Sequence, residues 1–150
     1  MLSKISWIVP TMWRSTLFYL LLKKVSEADN GDEVIVIDNI DSDRQINLPG
    51  VRQVFISTNS FVNPAWNLGV SLSHNEVCCL VNDDVIFGYE SVREQILREL
   101  NAKKETLILS WKKRFKRILD KDDKTILSNY SKLVDDKGVI LGGGRGYART

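Results

Sequence analysis

The chain has little of what would staple it, carry it through a membrane or leave it unfolded. Only two cysteines occur in 150 residues, and Cys78 and Cys79 are neighbours inside an apolar run. Adjacent thiols in that setting read as small core residues, which argues against a disulfide framework or a thiolate metal cluster and fits a reducing compartment. With His74 the single histidine, a histidine metal site is not expected, and His74 reads as a surface residue. The apolar run Leu17–Leu22 is the longest near the start, far short of the ~20 residues that a spanning helix needs. Pro10 and Arg14 interrupt the first apolar region and no small-residue cleavage pattern follows, so it does not read as a signal peptide. An excess of one charge is lacking as well: the formal net charge is +2, too small to imply a polyanionic partner. A cytoplasmic protein without nucleic acid is the plain expectation.

What is present is an ordinary globular composition, 43% hydrophobic and 27% charged, at a length that suits one domain over 1–150. Four apolar runs of strand length recur with helical patterns between them: ISWIV (5–9), VIVID (34–38), VRQVFIS (51–57) and VCCLV (77–81). Their β-branched content and weak alternation suit parallel strands covered on both faces. Between the first two, Ser15 is expected to cap a helix that ends at Asn30-Gly31. Before the fourth, Asn63-Pro64 reads as a cap and first helical residue, and Gly69 within that helix implies a packing reason. Ser91 opens a third helix with Val92, Ile96, Leu97 and Leu100 on one face, and TLILSW beyond it is a candidate strand. The alternation predicts an α/β fold with a mainly parallel central sheet flanked by helices.

In such a sheet a ligand lies beyond the carboxyl ends of the strands, where strand order reverses. Polar residues gather at those ends: Pro10, Thr11 and Arg14; Asp38, Asn39, Asp41 and Asp43; Asn59; then Asn82, Asp83 and Asp84. A rim of carboxylates repels itself unless a cation or a donor-rich ligand offsets it. Mg or Mn would do so, since hard cations bridge carboxylates to substrate phosphates. Asp and Asn are also common turn residues after strands, so NDD alone carries little.

The constellation resembles a family. ISWIVPTMWR, VIVIDN, NSFVNPAWNLGVSLS and LVNDDV, in that order from Ile5 to Phe87, look like the donor-binding half of family 2 type glycosyltransferases with the GT-A fold, nucleotide-diphospho-sugar transferases with a Rossmann-like sandwich. The resemblance implies that Pro10, Thr11 and Arg14 line a nucleotide pocket, with Asp38 hydrogen-bonding the base beside Asn39. It places Asn67 near the sugar or diphosphate, Asn82 near the ribose, Asp83 in the middle of the D-x-D region and Asp84 as ligand of Mn or Mg. Two departures stand out: Asn82 for the first Asp, and Ser60-Phe61 where the family has a glycine after the Asn.

The partners implied are a nucleotide-diphosphate sugar and an acceptor of saccharide, lipid-linked or protein type. Residues 88–150 would be a short remnant of the acceptor side. An inverting transferase needs a carboxylate base, for which Asp135 and Asp136 are the candidates, against a plain turn. WKKRFKRIL (111–119) suits an anionic membrane surface or nucleic acid, and equally a solvated basic face. GGGRG (142–146) lacks the Lys-Ser/Thr of a phosphate loop. Trp13 and Trp66 fall close to the donor pocket but read first as core or rim residues. The rival readings are a nucleotide-sugar-binding module without a full acceptor half; a nucleotidyltransferase, disfavoured because PTMWR is not a glycine-rich basic loop; and a receiver domain, disfavoured because Pro10 stands where its acidic pair should be.

Overall fold

The computed structural model describes residues 1–40, 43–56 and 60–102. Strands β1 (Ile5–Thr11) and β2 (Glu33–Asp38) are buried at every position, as expected of strands covered on both faces. They run parallel, in register from Ser6 against Glu33 to Thr11 against Asp38. Strand β3 (Val51–Phe55) pairs with the outer side of β2 and β4 (Val77–Leu80) with the outer side of β1, so the order is β3-β2-β1-β4 and every pairing is parallel.

Side chains alternate across the sheet and divide the core. Trp7, Val9, Val34 and Val36 enter one apolar cluster, which takes Leu21, Leu22 and Val25 from α1 (Tyr19–Ala28) and Ile96, Leu97 and Leu100 from α3 (Tyr89–Ala102). Ile8, Ile35 and Ile37 enter the other, beneath Ala65, Trp66, Leu68 and Leu72 of α2 (Val62–Leu72). Right-handed crossovers explain the division: the step from β1 out to β2 and the step back from β3 to β4 put their helices on opposite faces. The protein is thus α/β, with an all-parallel four-stranded sheet between helices, an architecture compatible with Rossmann-like folds. Gly69 has the packing reason its position implies, since a Cβ there would run into the Ile8 side chain at Cγ2. Among the described residues no helix is long and apolar enough to cross a membrane.

Several local expectations are corrected. Ser15 Oγ accepts from Leu17 N at 3.2 Å in a turn ahead of α1, which starts only at Tyr19 with Phe18 as its cap. The left-handed residue ending α1 is Asp29 (φ 46, ψ 46), just before Asn30. Helix α2 starts at Val62 after Phe61, so Asn63 is not its cap, and Pro64 sits later in the first turn, where a missing N–H still forfeits no helical bond. The segment from Asn39 to Gly50 joins β2 to β3 without a helix among its described residues. TLILSW, the 111–119 segment and GGGRG lie outside the described residues, as do Asp41 and Asn59.

Candidate functional site

Strand order reverses between β1 and β4, and the proline of β1 shapes the gap between them. Ile8 O accepts from Val81 N at 3.0 Å on the β4 side, whereas Thr11 O accepts from Asn39 N at 2.8 Å on the β2 side. Backbone groups of successive strand residues turn to alternate sides, so Pro10 faces β4. It has no N–H to continue that ladder. The β1–β4 register accordingly ends at Ile8 against Leu80, while β1 stays paired with β2 as far as Thr11. This is why β1 passes through Pro10, stays paired with β2 and parts from β4 beside it.

Thr11 links the end of β1 to the turn after β4. Its hydroxyl donates to Asp83 Oδ2 at 2.8 Å and accepts from Trp13 N at 3.0 Å. Asp83 and Asp84 form a turn after β4, and Asp83 O accepts from Phe18 N at 3.1 Å, which ties the turn to the start of α1. Burial pushes the Asp83 carboxyl up to about 6; the Thr11 bond opposes this, the Asp84 charge adds to it and the Arg14 charge opposes it. Arg14 and Asn82 are exposed at the rim and Asp84 is half-buried.

A second group lies at the end of β2. Asp38 is fully buried. Its Oδ2 accepts from Trp13 Nε1 and from Gln53 Nε2, each at 3.0 Å, and Gln53 Nε2 also donates to Arg44 O at 2.9 Å. The Arg44 guanidinium lies over the Trp13 ring, 4.9 Å from its centroid. Oδ1 of Asp38 is buried with no hydrogen-bond partner. Next in sequence, Asn39 Oδ1 accepts from Ser60 N at 2.8 Å and Ser60 Oγ at 2.9 Å, and its Nδ2 donates to Phe61 O at 3.2 Å. Asn39 thereby fixes the segment leading into α2, a positioning role. Phe61 is held there at φ 66, ψ 177 with its ring 73% exposed, in a backbone region that is essentially glycine's alone.

Of the residues singled out in the sequence, Thr11, Arg14, Asp83 and Asp84 are brought together where β1 and β4 part, Pro10 precedes Thr11 on β1, and Asp38 and Asn39 lie at the end of β2. Asn67 is exposed on α2 and is not drawn into this network. Asp135 and Asp136 lie outside the described residues. Sequence reasoning missed Gln53 and Arg44 altogether; a glutamine inside the strand V-R-Q-V-F was the signal available for the first.

The edge offers acceptors for N–H donors at Asp38, paired carboxylates at Asp83 and Asp84, and a cation at Arg14. Burial and the neighbouring Cys78 push the Cys79 thiol, within β4, up to about 12, which does not suit a nucleophile. Among the described residues no three His, Cys, Asp or Glu side chains form a metal cage. Two carboxylates nevertheless suit Mg or Mn, which take one or two from the protein and the remaining oxygens from phosphate and water. No family model matches the chain, and neither a curated protein nor a solved structure matches it at a significant level.

Proposed function

We propose that the chain binds a nucleotide-diphosphate sugar at the β1/β4 crevice and acts as a GT-A type glycosyltransferase. The observation that carries this reading is the Thr11–Asp83 hydrogen bond, which brings the P-T-x-x-R turn and the NDD turn together at the place where a parallel sheet takes its ligand. Phe61 lends support, for it stands where the resembled family has glycine and adopts a glycine conformation. On this reading Arg14 faces the diphosphate, Asn82 the ribose and Asp38 the base, while Asp84 and Asp83 would hold Mn or Mg. Held there, the cation would supply positive charge to offset what develops on the departing diphosphate. Asp135 and Asp136 remain the candidates for the base that takes the acceptor's proton, and a membrane contact through 111–119 would suit a lipid-linked acceptor.

A second reading, a nucleotide-sugar-binding module that depends on a partner for its acceptor half, is favoured by one fact: among the described residues the polar rim is built from residues 11–84. Calorimetric titration of nucleoside diphosphates and their sugars, with and without Mn, tests both. Metal-dependent binding that Asp84→Ala abolishes supports the donor site, and no binding by a folded chain removes it. Slow release of free sugar from the bound donor would separate transferase from module.

A further inference from the structure

Asp38 is a confined carboxylate with too few donors. Two N–H groups share its Oδ2, while Oδ1 is buried and bare. A buried acceptor without a partner keeps its desolvation penalty uncompensated.

Trp13 supplies one of those donors from an unfavourable backbone. Its φ of 60 lies in the left-handed region, a genuine outlier for a bulky aromatic. The bond from Trp13 N to Thr11 Oγ1 at 3.0 Å holds it there. Phe18 packs on the ring in a T-shaped arrangement at 5.6 Å between centroids, and the Arg44 guanidinium lies over the ring. A flat ring whose N–H points at a carboxylate and whose face lies against a guanidinium makes the contacts that a nucleobase with a ring N–H would make in the same place.

We propose that Trp13 is a built-in occupant of the base subsite. Its indole holds, on Asp38 and against Arg44, the place of the ligand's heterocycle, and leaves when a nucleotide binds. This rests on the nucleotide-binding reading above and adds a competitor carried by the chain itself. The Thr11 hydroxyl, bonded to both Trp13 N and Asp83 Oδ2, ties the exchange to the diphosphate side of the crevice. Apparent affinity is then the intrinsic affinity reduced to the fraction of molecules with the indole out.

The test is calorimetric titration of uridine and guanosine diphosphates, with Mn, into the wild type and Trp13→Phe, each first shown to melt cooperatively. Phenylalanine keeps most of the bulk and loses the N–H, so Kd is expected to fall about fivefold or more. Tryptophan emission of the wild type should shift to the red as nucleotide saturates, and the variant should lack that shift. Equal or weaker binding by the folded variant overturns the proposal and leaves the nucleotide reading standing. Binding to the variant alone supports it, the indole then being a complete block. Binding to neither protein overturns both. If Trp13→Phe does not fold, the wild-type emission decides: a red shift at saturation supports departure of the indole, and an unshifted spectrum overturns it.

Discussion

The two edges of the sheet carry the same residue types under opposite conditions. At the amino edge, Asp32 accepts from Ile5 N at 2.9 Å, Trp7 Nε1 at 3.1 Å, Tyr89 Oη at 2.8 Å and Arg93 at 2.8 and 3.0 Å. Beside it, Glu33 accepts from Ser6 Oγ at 2.8 Å and His74 N at 2.7 Å and pairs with Arg52 at 3.4 Å. Burial alone would raise both, but the donors outweigh it and hold both below the usual carboxylate range. At the carboxyl edge Asp83 has one hydroxyl donor and is raised, and Asp38 keeps a bare oxygen. A carboxylate enclosed by donors holds a fold together, whereas one left short of donors is poised to receive them from a ligand.

The most severe way to break the comparison is Asp32→Ala. It would strand Arg93 and the donors of Trp7 and Tyr89, and breaking a buried pair of this kind costs about 3–5 kcal/mol. Urea denaturation measures it, and a loss under ~1 kcal/mol would show that the amino edge is not structural.

Asp83→Asn tests the opposite sign. The folded-state value of Asp83, about 6, lies above the unfolded value of ~4. Its contribution to stability is therefore fully present below pH ~4 and lost as pH rises through about 6. Asp32 and Glu33 are lowered, so theirs is present above pH ~4 and lost only as pH falls further. The variant should gain on the wild type between pH 4 and 7 by up to ~2 kcal/mol, read as melting temperature against pH. A constant difference across that range would refute the environment assigned to Asp83.

Glu33→Gln keeps the shape and removes the charge that faces Arg52 and His74. It should cost about 1–2 kcal/mol, with no effect on the nucleotide binding proposed for the far edge. The smallest effect belongs to His74→Ala. Its ring is 73% exposed and the backbone N–H that serves Glu33 survives the change, so a loss below ~0.5 kcal/mol is expected. A larger one would mean that the exposed ring pair matters more than its solvation suggests.

Much of the fold was legible from the chain. The runs at 5–9, 34–38, 51–57 and 77–81 each overlap a strand, but only β1 and β2, at the centre of the sheet, have the burial on two faces that consecutive apolar residues imply, while β3 and β4 at its edges are largely half-buried. Helix starts were read less well. Ser15 and Asn63 have the right chemistry for caps, but Phe18 N is taken by Asp83 O, and α2 begins one residue before Asn63. Asp32 and Glu33 drew no notice, since nothing near them in sequence announces Arg93 or His74. At the candidate site, Pro10, Thr11, Asp38 and Asp83 were singled out by their place at strand ends together with the family resemblance, and the first three prove to be the last residues of β1 and β2.

By itself the sequence determined the strands, their alternation with helices and the collection of acids at one edge, all properties of short windows governed by burial and backbone preference. Tertiary structure alone decided how those acids are treated. Thr11 meets Asp83 across 72 residues, Arg93 meets Asp32 across 61 and Trp13 meets Asp38 across 25. A carboxylate's behaviour depends on the water it loses and the donors it gains, and both are set by which distant segments the parallel sheet brings to the same edge.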